Sequence, residues 1–114
     1  MNESPVFTRT YDLLRWLIPQ TVKFPRHQRF VLADALTKTA FRFQEEIIEA
    51  SFSKKPLSIL EQADCTLTKL RFYLRLSRDL QLLSHGQYEH VSRMVAEIGR
   101  LLGGWKKSLY KRVK

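Results

Sequence analysis

The chain has few of the residues that bend or staple a backbone. Four glycines and four prolines in 114 residues are too few for a many-turned sandwich or barrel and favour a small number of long elements. A single cysteine, Cys65, excludes an intramolecular disulfide and suits a reducing compartment better than a secreted one. No apolar run approaches the roughly 18 residues needed to cross a bilayer, and Met1-Asn2-Glu3-Ser4-Pro5 is neither basic nor followed by a hydrophobic signal core. The expectation is a soluble cytoplasmic protein with no membrane partner. Acid is scarce as well: 11 Asp and Glu stand against 20 Lys and Arg, a formal charge of +9. Such a surplus attracts polyanions.

The groupings that enzymes need are also missing. His85 and His90 are five apart rather than at the i, i+4 spacing of a zinc pair, and His27 stands alone. Cys65 lies near Glu61 and Asp64, which oppose thiolate formation. Glu45, Glu46 and Glu49 could face one another, yet no Glu-x-x-His motif accompanies them, and Glu45 and Glu49 are better placed to pair with cations such as Arg42. There is no glycine-rich phosphate loop, dinucleotide fingerprint or kinase signature. The sequence therefore predicts no catalytic residues, no metal, no cofactor and no enzyme.

What is present is helical periodicity. With 44% of residues apolar and 27% charged, the chain reads as one globular domain, residues 1–114. A first helix opens on Ser4-Pro5 and carries Phe7, Tyr11, Leu14 and Ile18 as its stripe; it should kink or stop at Pro19, Pro25 makes a second boundary, and the turn lies near residues 19–25. A second helix, Arg26 to Ser51, carries Phe30, Ala33, Thr37, Ala40, Gln44, Ile47 and Ser51, flanked by Leu36, Phe43, Ile48 and Ala50. After Lys54-Lys55-Pro56, a third repeats Leu60, Ala63, Leu67, Leu70 and Leu74 and ends near Leu83. Ser84-His85-Gly86-Gln87 then matches a capping box and starts a fourth at once. That last helix alternates cleanly through Tyr88, Val91, Val95, Ile98, Leu102, Trp105 and Leu109. Four helices joined by short loops predict an all-α, antiparallel up-down-up-down four-helix bundle.

Charge and apolar surface suggest what the bundle binds. Residues 58–114 hold 11 cations and 5 anions, a net +6, and residues 1–57 hold 9 and 6, a net +3. Arg71, Arg75 and Arg78 recur on one face of the third helix beside Lys69, and Arg100, Lys106, Lys107, Lys111 and Arg112 follow on the fourth. These nine residues are the candidate nucleic-acid contacts, because guanidinium forks and clustered ammonium groups neutralise phosphates with little sequence preference. Trp16 falls off the stripe of its helix and is expected to face outward. Phe72 and Tyr73 widen the apolar surface of the third helix, and Gly99 and Gly103 on the fourth would let another backbone come close. These five form a candidate oligomer or partner interface.

Three segments carry a resemblance: Phe24-Pro25-Arg26 with Arg29-Phe30, Leu70-Arg71-Phe72-Tyr73-Leu74-Arg75, and Ala96-Glu97-Ile98-Gly99-Arg100-Leu101-Leu102-Gly103-Gly104-Trp105. Over nearly its whole length the chain resembles the accessory variability proteins (Avd) of diversity-generating retroelements, which are related to the four-helix proteins of 23S rRNA intervening sequences. The resemblance implies a basic homopentamer that binds the element's reverse transcriptase and template RNA and supports mutagenic retrohoming. A 23S rRNA intervening-sequence protein, or another oligomeric nucleic-acid-binding protein, is the alternative. The small-residue run closing in Glu-Gly that is common at the end of the second helix in the ribosomal proteins reads Ile47-Ile48-Glu49-Ala50-Ser51 here, which leans toward the retroelement branch.

Overall fold

The computed structural model describes residues 4–113, apart from the side chains of 28, 29, 112 and 113. Four long helices dominate: α1 (Pro5–Val22), α3 (Asp34–Phe52), α4 (Pro56–Asp79) and α5 (His85–Val113). Between the first two lie a single turn, α2 (Arg26–Gln28), and a π-helical turn, Arg29–Ala33, that runs into α3. No strand occurs among the described residues. The molecule measures 49 × 23 × 22 Å, a rod whose length matches the roughly 43 Å expected of the 29-residue α5 at 1.5 Å per residue.

The helices close a ring of seams, α1 with α3, α3 with α4, α4 with α5, and α5 with α1. Cross-helix pairs fix the register. Asp64 meets Lys106 and Glu61 meets Tyr110 between α4 and α5, and further along the same seam Arg78 lies over Tyr88. Between α1 and α5, Phe7 meets Trp105, Trp16 meets His90 and Gln20 meets Gln87. Leu36, Phe43, Ile47, Leu60, Leu67, Leu70 and Ile98 are fully buried at the centre.

Helix α5 follows its sequence pattern: Val91, Val95, Ile98 and Leu102 are buried, and Tyr88, Trp105 and Leu109 pack partly against them. Its start is the predicted capping box. The Ser84 amide donates to Gln87 Oε1 at 2.8 Å, and the Gln87 amide donates to Ser84 Oγ at 3.1 Å.

Other boundaries and stripes differ from the sequence reading. Helix α1 continues through Pro19 to Val22; the ring is exposed, so the Arg15 carbonyl that loses its helical donor lies on the solvent side, where water can replace it. The buried stripe of α1 is Val6, Thr10, Leu13, Leu17 and Thr21 together with Phe7 and Leu14, while Tyr11 is 57% exposed. Two threonines in a core stripe look polar in sequence. Here Thr10 and Thr21 satisfy their hydroxyls on the carbonyls of Val6 and Ile18, both at 2.7 Å, and turn their methyls inward. On α3 the core line is Leu36, Ala40, Phe43, Ile47 and Ala50, and Phe30 stands 75% exposed on the π-helical turn. Helix α4 ends at Asp79 rather than near Leu83. Gln81 takes a positive φ of 63°, and the Leu82 and Leu83 amides both return to the Ser77 carbonyl, which closes the helix a turn early.

Candidate nucleic-acid interface

The predicted cations separate by what they touch. Arg71, Arg75 and Arg78 run along the α4–α5 seam. Lys69, Arg71 and Arg75 are exposed and have no ion-pair partner among the described residues. The Arg71 guanidinium lies directly over Gly99: a Cβ there would sit 2.5 Å from Nη2. Within this chain, Gly99 makes room for an arginine side chain of α4. Beside Arg71 a small groove between α4 and α5 is lined by Leu74, Tyr88, Ser92 and Val95.

Arg78 is committed elsewhere. It stacks 4.5 Å above the Tyr88 ring and donates from Nε and Nη2 to Asp79 Oδ1 at 3.1 and 3.0 Å. The stack contributes about 0.5–1 kcal/mol to the end of the α4–α5 seam. Lys106 is likewise an internal tie, 18% exposed and 3.2 Å from Asp64 Oδ2. Arg100 is held by Glu97 three residues earlier. The hydrogen bond from Arg100 to the Glu97 carboxylate lowers the pKa of Glu97 and raises that of Arg100, so the pair stays charged across the neutral range. Lys107 and Lys111 are exposed and free of ion pairs among the described residues, whereas the side chain of Arg112 lies outside the described residues.

Sequence reasoning passed over Arg93. It is exposed and lies seven residues before Arg100 and fourteen before Lys107, and two turns per seven residues bring all three onto one ridge of α5. The seven-residue spacing was the available signal, hidden because Glu97 interrupts the acid-free tail. Exposed Ala96, Gly103 and Gly104 border the ridge, and among the described residues, the helix's own backbone aside, nothing comes within 4 Å of a Cβ placed on either glycine.

The aromatic candidates also divide. Phe72 is 68% exposed on α4, one position from Arg71, while Tyr73 packs partly against the core. Trp16 does not face away as expected; it is half-buried, with its ring 5.4 Å from that of His90. Along the neighbouring α3–α4 seam, Arg42, Glu45, Glu46 and Glu49 of α3 and Ser58, Ile59 and Gln62 of α4 line an acidic cleft. Glu46 is buried there, its side chain 8% exposed and its Oε2 3.6 Å from Arg42 Nε. Its Oε1 has no hydrogen-bond partner among the described residues, a cost of about 1–3 kcal/mol for a buried acceptor. Among the described residues no group of three or more His, Cys, Asp or Glu is arranged to hold a metal ion, and no helix is long and apolar enough to cross a membrane.

The described residues thus make a small all-helical protein with an arginine-lined α4–α5 seam and a cationic ridge on α5, its exposed cations set in rows along helices. The chain belongs to the bAvd-like family, whose model matches residues 6–109, and is an Avd-type accessory protein of retroelements. Accessory proteins of this family are generally non-catalytic. A comparison with curated proteins gives no match.

Proposed function

We propose that this protein is a non-enzymatic accessory subunit of a diversity-generating retroelement, working in the cytoplasm as a homopentamer that binds the element's template RNA and reverse transcriptase and supports mutagenic retrohoming. The protomer in this reading is an up-down-up-down antiparallel bundle, supported by cross-helix pairs whose numbers fall in one helix as they rise in the next. Family membership supports the retroelement role.

The observation that carries RNA binding is the pair of exposed Arg71 and Arg75, free of ion pairs among the described residues, beside the Arg93–Arg100 part of the α5 ridge, with exposed Lys69 on another face of α4. No acidic side chain lies between positions 65 and 78, so phosphates approaching α4 meet cations first. Arginine forks bind phosphate oxygens in pairs and leave base edges unread. The exposed Phe72 ring offers a stacking surface beside them.

The test is binding of single-stranded RNA over a salt series. Arg71→Ala with Arg75→Ala lowers affinity across unrelated sequences and reduces the slope of log K against log salt by about 0.7 for each phosphate no longer neutralised. Arg78→Ala and Lys106→Ala, whose cations are already engaged within the fold, change the slope little. Equal slopes for the wild type and the Arg71/Arg75 variant would remove this face from the RNA site.

A further inference from the structure

The acidic cleft between α3 and α4 has no place in an RNA-binding surface, since three carboxylates against one guanidinium repel phosphate. Glu46 marks it as a receptor for something else: a carboxylate more than nine-tenths buried, with one oxygen unpartnered, calls for a hydrogen-bond donor with positive charge. Glu45 and Glu49 flank it, exposed and without ion pairs among the described residues. The three carboxylates do not converge as metal ligands do. A side-chain ammonium, with three donors to distribute, suits the cleft better.

A matching cation lies on the opposite side of the same protein. Helices α3 and α5 form no seam and stand diagonally across the ring. Lys107 and Lys111 are exposed on the outward side of α5, away from its buried Ile98 and Leu102. They also stand at the height of the cleft. Glu45, Glu46 and Glu49 share it with Ser58, Ile59 and Gln62 of α4, and within the same turns of α4, Glu61 and Asp64 meet Tyr110 and Lys106 of α5. A copy translated sideways, without sliding along the rod, therefore brings its Lys107–Lys111 turn to its neighbour's cleft. Exposed Gly103 and Gly104 just before that turn have open space beside them, which lets an α3 helix come close.

We infer that the α3–α4 cleft binds the ammonium groups of Lys107 and Lys111 from a second copy of this chain. Donor and receptor occupy different faces, so the contact is head-to-tail and each copy both gives and receives; repeated around a rotation axis it closes a ring with no unfilled cleft. The inference rests on the oligomeric part of the function proposed above. It also withdraws Lys107 and Lys111 from the RNA face and leaves that role to Lys69, Arg71, Arg75, Arg93 and Arg100.

Charge reversal with mass measurement tests it. Wild-type protein in light scattering should give a multiple of the 13.5 kDa chain. Glu45→Lys with Glu49→Lys should fall to the mass of one chain with its helical circular dichroism retained, as should Lys107→Glu with Lys111→Glu. The quadruple variant, with both sides reversed, should reassemble. Glu46→Gln keeps the shape of the side chain and should raise the concentration needed for assembly. In the wild type, carbodiimide coupling between isotopically distinct copies should join Glu45 or Glu49 to Lys107 or Lys111, a link that one protomer cannot make across its diagonal.

An assembled wild type whose charge variants keep their mass and give no such link would overturn the inference and leave the oligomer standing. Charge variants that keep their mass but lose the reverse transcriptase would assign the cleft to that protein instead and equally overturn it. A wild type of one-chain mass at all concentrations would sink the oligomeric reading itself.

Discussion

Arg71 owes its position to an absent side chain. Gly99 opposite it leaves the guanidinium resting against α5, with Leu67 Cδ2 3.6 Å from the point where a Cβ would be. In Gly99→Ala the new methyl takes that space, and the displaced group is the far end of a flexible side chain. Alanine also favours helix over glycine by about 0.8–1 kcal/mol. The variant is therefore expected to melt at or slightly above the wild-type temperature while binding RNA more weakly, with calorimetry and a salt titration as the two readouts. A clear loss of stability would mean that the guanidinium is part of the seam's packing and not free to move. At this scale the sequence was partly legible. The spacing of Arg71, Arg75 and Arg78 put all three on one face, but their separate duties depend on which residue of α5 each one meets: a glycine for Arg71 and a tyrosine ring for Arg78. The tie from Lys106 to Asp64 spans 42 positions, beyond the reach of any local pattern.

Among the elements, the helices were read best where apolar and polar residues separate cleanly. α5 kept both its stripe and its capping box. The stripe of α1 differs because Thr10 and Thr21 behave as core residues once their hydroxyls are returned to their own helix, and the helix, expected to kink or stop at Pro19, runs on to Val22. That proline sits only three residues before the end of α1 and sacrifices one hydrogen bond on an exposed side. Pro19→Ala restores the donor to the Arg15 carbonyl. The full helix-interior difference is about 3 kcal/mol, offset by about 1 kcal/mol for the freer unfolded chain, so a gain of up to about 2 kcal/mol is expected. A rise in the urea midpoint at unchanged slope would show it; a fall would mean that the ring itself packs against something α1 needs. The π-helical turn before α3 gave no sequence signal. It inserts Arg29–Ala33 between α2 and α3, leaving Phe30 and Val31 exposed while Leu32 and Ala33 enter the core.

For the whole molecule, the count of long helices and their order were legible from periodicity and the shortage of turn-formers. The arrangement of charge was not. Net charge showed a surplus of cations, but a sum has no direction, and the acidic cleft on α3 and the cationic ridge on α5 become opposites only when the ring of seams places those helices on a diagonal. The ring of seams also decides what the two tryptophans can report. Trp16 lies on α1 against His90 of α5, and Trp105 lies on α5 beside Phe7 of α1; the chain has no other tryptophan. Both indoles therefore watch the junction where the first long helix meets the last, each with a ring contact across it. Intrinsic fluorescence is thus a gauge of whether the two ends of the chain are latched together. An emission change that runs ahead of the loss of ellipticity on unfolding would time the opening of that latch, separately from the melting of the helices it joins.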